Sequence, residues 1–282
     1  MPALPLQIGG VSIPRFLYGT AWKEDRTQGL VELALKQGFR GIDTANQRRH
    51  YYEAAVGQAI TTAVQRGLVS RDELFLQSKF TFKDGQDQRL PYDPSASIAT
   101  QVRQSFQSSL EHFGTDYLDS FVLHGPSSRG RLDASDIEAW RAIEALASEK
   151  KTRFIGVSNF TLAQLRELLQ LAKVAPRFLQ NRCYAKTGWD REVRHLCREQ
   201  GVVYQGFSLL TANRAELKSD AVARLAKRTG RSVPELVFRF ALQVGMLPLT
   251  GTSSAEHMKL DLGVLGFSLE PSDVEVLERV AG

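Results

Sequence analysis

Apolar positions along the chain follow two alternating periods. Short buried runs, such as residues 39–45 and 74–80, have the length and composition of β-strands. The segments after them, residues 53–66 and 97–113, carry apolar residues three and four positions apart. That spacing predicts helices with one buried face, because such positions fall on the same side of a helix.

The same alternation continues to the end of the chain. Predicted strands cover residues 16–20, 39–45, 74–80, 117–123, 153–157, 177–180, 202–207 and 247–250. Predicted helices cover residues 26–37, 53–66, 97–113, 134–150, 162–172, 191–200, 220–229, 233–243, 255–263 and 269–280. Eight strand–helix units without a Pro/Gly/Ser-rich linker predict an α/β fold in which residues 1–282 form a single (β/α)8 barrel domain.

A doubly wound dinucleotide fold is the competing architecture for such an alternation. It would carry the glycine pattern GxGxxG directly after its first strand, where the backbone approaches a pyrophosphate. Residues 18–22 read YGTAW instead. The sequence therefore favours the closed barrel over the open sheet.

Composition and charge limit the partners. The 282 residues are 43% hydrophobic and 24% charged, which is typical of a globular protein. The formal charge of +5 and the pI of about 9.2 suit an anionic ligand such as a nucleotide. Lys and Arg are spread along the chain instead of forming a basic tail, so we expect no nucleic acid partner.

Cysteine usage and the N-terminal sequence indicate the compartment. Cys183 and Cys197 form neither a disulfide framework nor a paired metal motif, so we expect reduced thiols in a cytoplasmic protein. The first ten residues, MPALPLQIGG, lack the basic and apolar regions of a signal peptide. No apolar run approaches the roughly 18 residues of a membrane span, so no membrane association is expected.

Polar residues stand where the predicted strands end. Asp43, Lys79 and His124 each follow an apolar run, and the loop after Asp43 holds Tyr51 and Tyr52. In a parallel barrel these positions converge on one mouth, where α/β enzymes place their chemistry. An acid, a base and a histidine in one partly dry mouth perturb each other's proton affinity.

This set of side chains has a chemical sense. A phenol with a pKa of about 10 releases its proton poorly at neutral pH. An ammonium near it lowers that pKa, and a carboxylate paired with the ammonium keeps it charged and aimed. His124 then hydrogen-bonds and positions a carbonyl oxygen. No cluster has metal-ligand spacing, so we expect no metal and predict redox chemistry on a carbonyl with a cofactor as hydride donor.

Several segments together resemble the aldo-keto reductase superfamily over nearly the whole chain. They are GIDTA, the lysine that ends the third strand, YLDSFVLHGP, IGVSNF, FLQ and GTSSAEHM. The resemblance implies a (β/α)8 TIM barrel that reduces a small aldehyde or ketone with NAD(P)H. It also implies that Asp43, Lys79 and His124 fill three places of the family's Asp-Tyr-Lys-His tetrad.

The resemblance further implies a cofactor site. Ser158, Asn159 and Gln180 match residues that hold the nicotinamide carboxamide. Phe207 stands where the family usually has a tyrosine stacked on the nicotinamide, which keeps the aromatic face and removes the hydroxyl. The remaining cofactor residues implied are Ser208, Leu210, Gly251, Thr252 and His257.

The chain departs from the family pattern at the tyrosine. Two extra residues lie between Asp43 and Val56-Gly57. Aligned from the front, Arg48 takes the tyrosine's place, and aligned from the back, His50 takes it. Tyr51 and Tyr52 are the phenols close enough to serve, and we expect Tyr51 to be the proton donor.

A second departure concerns the adenosine 2′-phosphate. The family's clamp usually carries a Lys and an Arg, and Gly251, Thr252, His257 and Asp261 stand in the corresponding region. Two charge-assisted contacts are lost, and Asp261 would oppose a phosphate if it faced one. NADPH is the first expectation from the family and NADH is the alternative.

The third departure is at the C-terminus, where the chain stops at Gly282 without the tail that folds over the pocket in many family members. We expect an open substrate pocket, walled by Trp22, Lys23 and the loop of residues 81–94. Because the tyrosine is not at the family's usual position, one non-enzymatic alternative stays open. In it, the barrel binds NADP(H) as a sensor or auxiliary subunit without turnover.

Overall fold

The computed structural model describes residues 6–282. Its strands are β1 Leu6–Ile8, β2 Val11–Ile13, β3 Leu17–Gly19, β4 Gly41–Asp43, β5 Phe75–Phe80, β6 Leu118–Leu123, β7 Thr152–Ser158, β8 Phe178–Arg182, β9 Val203–Phe207 and β10 Leu247–Thr250. Its helices are α1 Thr27–Gln37, α2 Glu53–Gln65, α3 Ile98–Phe113, α4 Ala134–Ser148, α5 Leu162–Leu171, α6 Arg191–Glu199, α7 Asp220–Thr229, α8 Val233–Gln243, α9 Ala255–Gly263 and α10 Pro271–Glu278.

Eight of the strands close into a barrel in the order β10-β3-β4-β5-β6-β7-β8-β9. The pairs β4·β5, β5·β6, β6·β7 and β9·β10 are parallel. The predicted (β/α)8 fold is therefore confirmed. Crossover helices fit the observed pairing, because parallel neighbours need a long connection between them.

The N-terminal hairpin was not predicted. Strands β1 and β2 pair antiparallel, with Ile8 opposite Val11. Gly9 and Gly10 join them and both have positive φ, 55° and 81°. A two-residue turn of this kind needs such backbone angles, so Gly-Gly between two short apolar runs was the available signal.

The chain separates into two units. One comprises Tyr18–Leu179, and the other combines the described part of Met1–Leu17 with Gln180–Gly282. Aromatic packing fills the core of each. In the first unit Phe106 meets Phe121 edge-on at 4.9 Å, and in the second Phe16 meets Phe238 at the same centroid distance.

Glycine sets the packing of α2 on α3 in the first unit. A Cβ added at Gly57 would lie 1.7 Å from the backbone oxygen of His112. No side chain fits at that distance, so the two helices touch through backbone there. The contact fixes the position of α2, whose first residue is Glu53.

The described residues contain neither a membrane-spanning helix nor a metal-binding cluster. None of the helices in residues 6–282 is both long and apolar enough to cross a bilayer. Within the same residues, no group of three or more His, Cys, Asp or Glu side chains has an arrangement that would hold a metal ion.

Candidate active site

The ends of β4 and β5 hold a buried ion pair. Asp43 lies beside Gln77 in the strand register, and Lys79 follows two residues later on the same face. Lys79 Nζ donates to Asp43 Oδ1 and to the Thr44 carbonyl oxygen, both at 2.7 Å. Gln77 Nε2 donates to the same carboxylate at 2.7 Å. Burial lowers the pKa of Lys79, and the charge of Asp43 partly opposes that shift.

Tyr51 reaches this ion pair through a turn in the loop between β4 and α2. Its backbone N–H donates to the Gln47 carbonyl oxygen at 3.0 Å. The Tyr51 ring centroid then lies 5.3 Å from Lys79 Nζ. The same ring meets the His124 ring edge-on, with centroids 5.7 Å apart. Four side chains predicted to act together, Asp43, Tyr51, Lys79 and His124, are thus brought together in the first unit.

The neighbouring tyrosine has a different environment. The guanidinium of Arg48 lies 4.0 Å from the Tyr52 ring centroid, a cation–π contact on the loop itself. Arg48 and Tyr52 therefore stack on each other, and Tyr51 is the phenol near Lys79. Among the described residues, the Tyr51 hydroxyl makes no hydrogen bond.

The pKa of Tyr51 is raised, whereas the sequence predicted that a nearby ammonium would lower it. Burial is the largest cause and raises the pKa above its ordinary value, and the charge of Asp43 raises it further. The lowering that Lys79 was expected to cause is not found, and both causes that act on this pKa raise it. Tyr51 therefore carries its proton at neutral pH, which suits a group that donates a proton.

His124 follows β6 and is held from two sides. Its backbone N–H donates to the Phe80 carbonyl oxygen at 2.8 Å. Its Nδ1 lies 2.7 Å from the Thr81 hydroxyl. Burial, then the charge of Lys79 and then that of His50, lower its pKa well below the ordinary value. The ring is neutral at neutral pH, and a Thr81 hydroxyl that donates to Nδ1 leaves an N–H on Nε2.

Sequence reasoning missed the residues that support these groups. Gln77 and Thr81 hold Asp43 and His124, and both stand one or two positions from a predicted residue. Glu53, the first residue of α2, is buried and accepts hydrogen bonds from Ser78, from Ser109 at 3.0 Å and from His112 Nδ1 at 2.8 Å. Period-two alternation along β5 was a usable signal for Gln77, since it shares a face with Lys79.

A cavity of about 600 Å³ opens beside this cluster in the first unit. Its wall comes from the loops after β4, β5, β6 and β7. Among the side chains that line it are His50, Thr81, Phe82, His124 and Asn159. Such a volume lies within the range of small-molecule sites, and it combines an apolar wall with several polar groups.

Residues predicted to hold the nicotinamide carboxamide are found in both units. Asn159 follows β7 with a left-handed φ of 57°, and its Nδ2 donates to the His124 carbonyl oxygen at 2.8 Å and to Ser158 Oγ at 3.1 Å. In the second unit, Gln180 donates from Nε2 to Gln205 at 2.9 Å. Phe207 is the last residue of β9.

The other predicted cofactor residues line one cavity of about 440 Å³ in the second unit. They are Ser208, Leu210, Gly251, Thr252 and His257. Ser208 has a left-handed φ of 56°, and helix α9 begins at Ala255 with Ser254 as its N-cap. Hydroxyl groups and a helix N-terminus fit the phosphates and ribose of a dinucleotide.

Asp261 lines the same cavity. It is buried, and burial raises its pKa to about 6, although a hydrogen bond with Thr250 and the charge of His257 oppose the shift. Among the described residues around this cavity there is no Lys or Arg. The donors present therefore fit a dinucleotide backbone, and a 2′-phosphate meets no fixed positive charge from an ammonium or guanidinium here.

Trp22 and Lys23, predicted to wall the substrate pocket, have different environments. Trp22 is 67% exposed, has a left-handed φ of 61°, and stacks on the His50 ring at 4.1 Å between centroids. Lys23 is buried, with Nζ 5.7 Å from the Tyr18 ring centroid. Trp22 therefore packs against His50 in the loop that carries the two extra residues, whereas Lys23 points towards Tyr18.

The parallel barrel, with an acid, a lysine, a tyrosine and a histidine gathered at its strand ends, defines an α/β barrel enzyme of the oxidoreductase class. The family model described as "Aldo/keto reductase family" matches residues 5–281. The chain therefore belongs to the aldo/keto reductase family and is an oxidoreductase.

Known relatives agree with this assignment. A protein named glyoxal reductase from Bacillus subtilis (strain 168) is 28% identical over 273 residues, which cover 96% of this chain and 90% of that one. A crystal structure of an aldo/keto reductase from Brucella melitensis has a TM-score of 0.84 at 25% identity, covering 99% of each chain. A Bombyx mori aldo-keto reductase in complex with NADP has a TM-score of 0.82 at 23% identity, covering 99% of this chain and 93% of that one.

Proposed function

We propose that this protein reduces the carbonyl group of a small aldehyde or ketone to an alcohol with NAD(P)H, and oxidises the alcohol in the reverse direction. The observation that carries the proposal is the buried Asp43–Lys79 ion pair with the Tyr51 ring 5.3 Å from the lysine nitrogen. When bound, the nicotinamide supplies the hydride. The chain's own residues position the substrate oxygen and move one proton.

Each of the four side chains has one role in this proposal. The Tyr51 hydroxyl donates its proton to the carbonyl oxygen, and it is protonated at neutral pH because burial raises its pKa. Lys79, held by Asp43, supplies positive charge next to the phenolate as it forms. His124, neutral because its pKa is lowered, donates from Nε2 to the same oxygen.

NADPH is the proposed cofactor, and NADH is the alternative. The complex of the Bombyx mori relative with NADP supports NADPH. The cavity that holds Ser208, Thr252 and His257 supports dinucleotide binding in general. The buried carboxyl of Asp261 and the lack of Lys or Arg among the described lining residues favour NADH.

We also propose that the reaction takes place in the cytosol on a small-molecule substrate. Cys183 and Cys197 are both free and buried, which supports a reducing compartment. The cavity beside His124 supports a substrate larger than a two-carbon aldehyde.

The test is an assay with purified protein, NADPH or NADH, and a panel of aldehydes and ketones, followed by the loss of nicotinamide absorbance. Turnover with at least one carbonyl compound is expected. Tight cofactor binding without oxidation across a broad panel would contradict the proposal. It would support the non-catalytic alternative, a NADP(H)-binding sensor or auxiliary subunit, which the unpartnered Tyr51 hydroxyl keeps open.

A further inference from the structure

His50 is a polar side chain of the substrate cavity that the proposed chemistry does not use. It belongs to the loop that carries the two extra residues before α2. Its ring lines the cavity of about 600 Å³ together with His124, Thr81 and Asn159. Two imidazoles therefore face one space, and the proton transfer proposed above needs only that of His124.

The His50 ring is held in place by contacts that leave its nitrogens available. Its backbone carbonyl oxygen accepts from the Trp22 N–H at 2.7 Å, and its N–H donates to the Gln47 carbonyl oxygen at 3.2 Å. The ring packs against Trp22, with centroids 4.1 Å apart and the two ring planes tilted by 39°. Among the described residues, neither ring nitrogen has a hydrogen bond or an ion pair. A ring fixed by stacking, with free nitrogens, is preorganised to bind a polar ligand atom.

The protonation state of the His50 ring determines which ligand groups it can bind. Partial burial, and then the charge of Arg49, lower the pKa of His50, while Asp87 raises it to a smaller extent. A neutral imidazole presents one N–H donor and one acceptor nitrogen. It therefore suits an uncharged polar group, such as a hydroxyl, a second carbonyl or a ring nitrogen.

We infer that His50 is a specificity-determining residue, which selects carbonyl substrates that carry a second hydrogen-bonding group near the reacting carbonyl. The inference rests on the proposed carbonyl reduction. In it, the reacting oxygen is bound at His124 and the second group is bound at His50, which lines the same cavity. A substrate without the second group leaves the His50 nitrogens unpaired when the cavity closes around it, which costs free energy.

The test compares benzaldehyde with pyridine-2-, pyridine-3- and pyridine-4-carboxaldehyde. These four molecules have the same shape, and the three pyridines place an acceptor nitrogen at different distances from the aldehyde. For each protein variant, kcat/KM with a pyridine aldehyde is divided by kcat/KM with benzaldehyde. Comparing that ratio between variants cancels the intrinsic reactivity of each aldehyde.

The decisive variant is His50→Phe, which keeps an aromatic ring for the Trp22 stack and removes both nitrogens. The ratio for at least one pyridine isomer is expected to fall by about fivefold to tenfold, the effect of one net hydrogen bond. With benzaldehyde, kcat/KM should not fall, because this substrate makes no hydrogen bond to His50. Gln65→Phe adds an aromatic ring at an exposed position of α2, outside the lining of this cavity, and should leave every ratio unchanged.

Other outcomes overturn the inference. Unchanged ratios for all three isomers in His50→Phe would show that His50 selects nothing. Loss of turnover with every aldehyde, with cofactor affinity retained, would make His50 the proton donor instead of a selector. If the wild-type protein reduces no aldehyde, the proposed function fails. Binding of benzyl alcohol and the pyridinemethanols to wild type and His50→Phe then decides the inference separately.

Discussion

The first unit, Tyr18–Leu179, buries full charges in pairs, whereas the cavity of the second unit is lined by hydroxyl groups, His257 and one buried carboxyl. Lys79 and Asp43 are both inaccessible and hydrogen-bonded to each other. Asp261 is equally buried but has no Lys or Arg beside it in its cavity. Burial of a charge is tolerated where a partner compensates it, and it raises the pKa of a carboxyl group where the compensation is smaller than the desolvation, as at Asp261.

The two units differ in what their proposed roles require of the side chains. The proposed proton transfer depends on a few distances among four side chains, and this chain keeps all four residue types despite the longer loop. The proposed cofactor binding sums many weaker contacts, so the family's charged clamp can be absent while hydroxyl groups and a helix N-terminus remain. Substitutions in the first unit should therefore change kcat most, and substitutions in the second should change cofactor affinity.

The largest effect is expected at Tyr51. Tyr51→Phe removes the proposed proton donor and should lower kcat roughly a hundredfold to ten-thousandfold, the usual contribution of general acid catalysis. Cofactor affinity, measured by nicotinamide fluorescence, should stay nearly unchanged. Tyr52→Phe is the matched control, because Tyr52 stacks on Arg48 and loses only its hydroxyl. Full activity in Tyr51→Phe with loss in Tyr52→Phe would reassign the acid.

A smaller effect on kcat is expected at Thr81, which is a positioning residue. Thr81→Val keeps the shape and removes the hydroxyl that lies 2.7 Å from His124 Nδ1, so the ring loses the bond that fixes its tautomer. We expect kcat to fall about tenfold with little change in KM. Thr81→Ser restores the hydroxyl and should restore most of the activity. Equal losses in both variants would point to packing instead of the hydrogen bond.

Asp261→Asn tests the charge of the second cavity. Removing the carboxylate should strengthen NADPH binding about fivefold at pH 8, since a negative charge near the 2′-phosphate disappears, and leave NADH binding within twofold. The gain should shrink near pH 5, because the wild-type carboxyl, with a pKa of about 6, is then already protonated. Glu256→Gln, exposed on the same helix, is the control. Equal changes for both cofactors would contradict a phosphate-specific effect.

The smallest effect concerns stability. A hydrogen bond to Glu53 raises the pKa of His112 above its ordinary value of 6.5. The stabilisation is therefore complete below about pH 6.5 and is lost as the pH rises through the raised pKa. Between pH 6 and pH 9, Tm should fall by up to about 2 °C more in wild type than in His112→Gln. His195→Gln, on an exposed helix face, is the control and should behave like wild type. An equal fall in Tm in all three proteins would show that the His112–Glu53 pair does not cause it.

The sequence predicted the barrel because its signals are local. Each strand and helix carries its own hydrophobic period, and eight repetitions leave few ways to close a sheet. Asp43, Lys79 and His124 could be found for the same reason, since each stands at or directly after a strand end. No alignment could choose between Tyr51 and Tyr52, because the choice depends on a turn whose carbonyl acceptor is Gln47.

Residues whose partners lie far away in the sequence could not be predicted from the sequence alone. Thr81 matters only because His124, 43 positions later, comes within hydrogen-bond distance of it. Glu53 looks like an ordinary first residue of a helix until Ser109 and His112 are folded against it. From its place in the chain, Asp261 was predicted to oppose a phosphate that it faced, whereas its burial and raised pKa required the folded cavity.

The close backbone contact at Gly57 has a consequence for how this protein could diversify. The contact holds α2 against α3. The ion pair of Asp43 with Lys79 holds the end of β4, so both ends of the loop between β4 and α2 are fixed. Within this loop, Thr44, Gln47 and Tyr51 hold the site, so residues 48–50 are the ones that can change. A change in their number or identity alters which side chain meets the substrate without refolding the barrel, so new specificities can arise there by insertion as readily as by substitution.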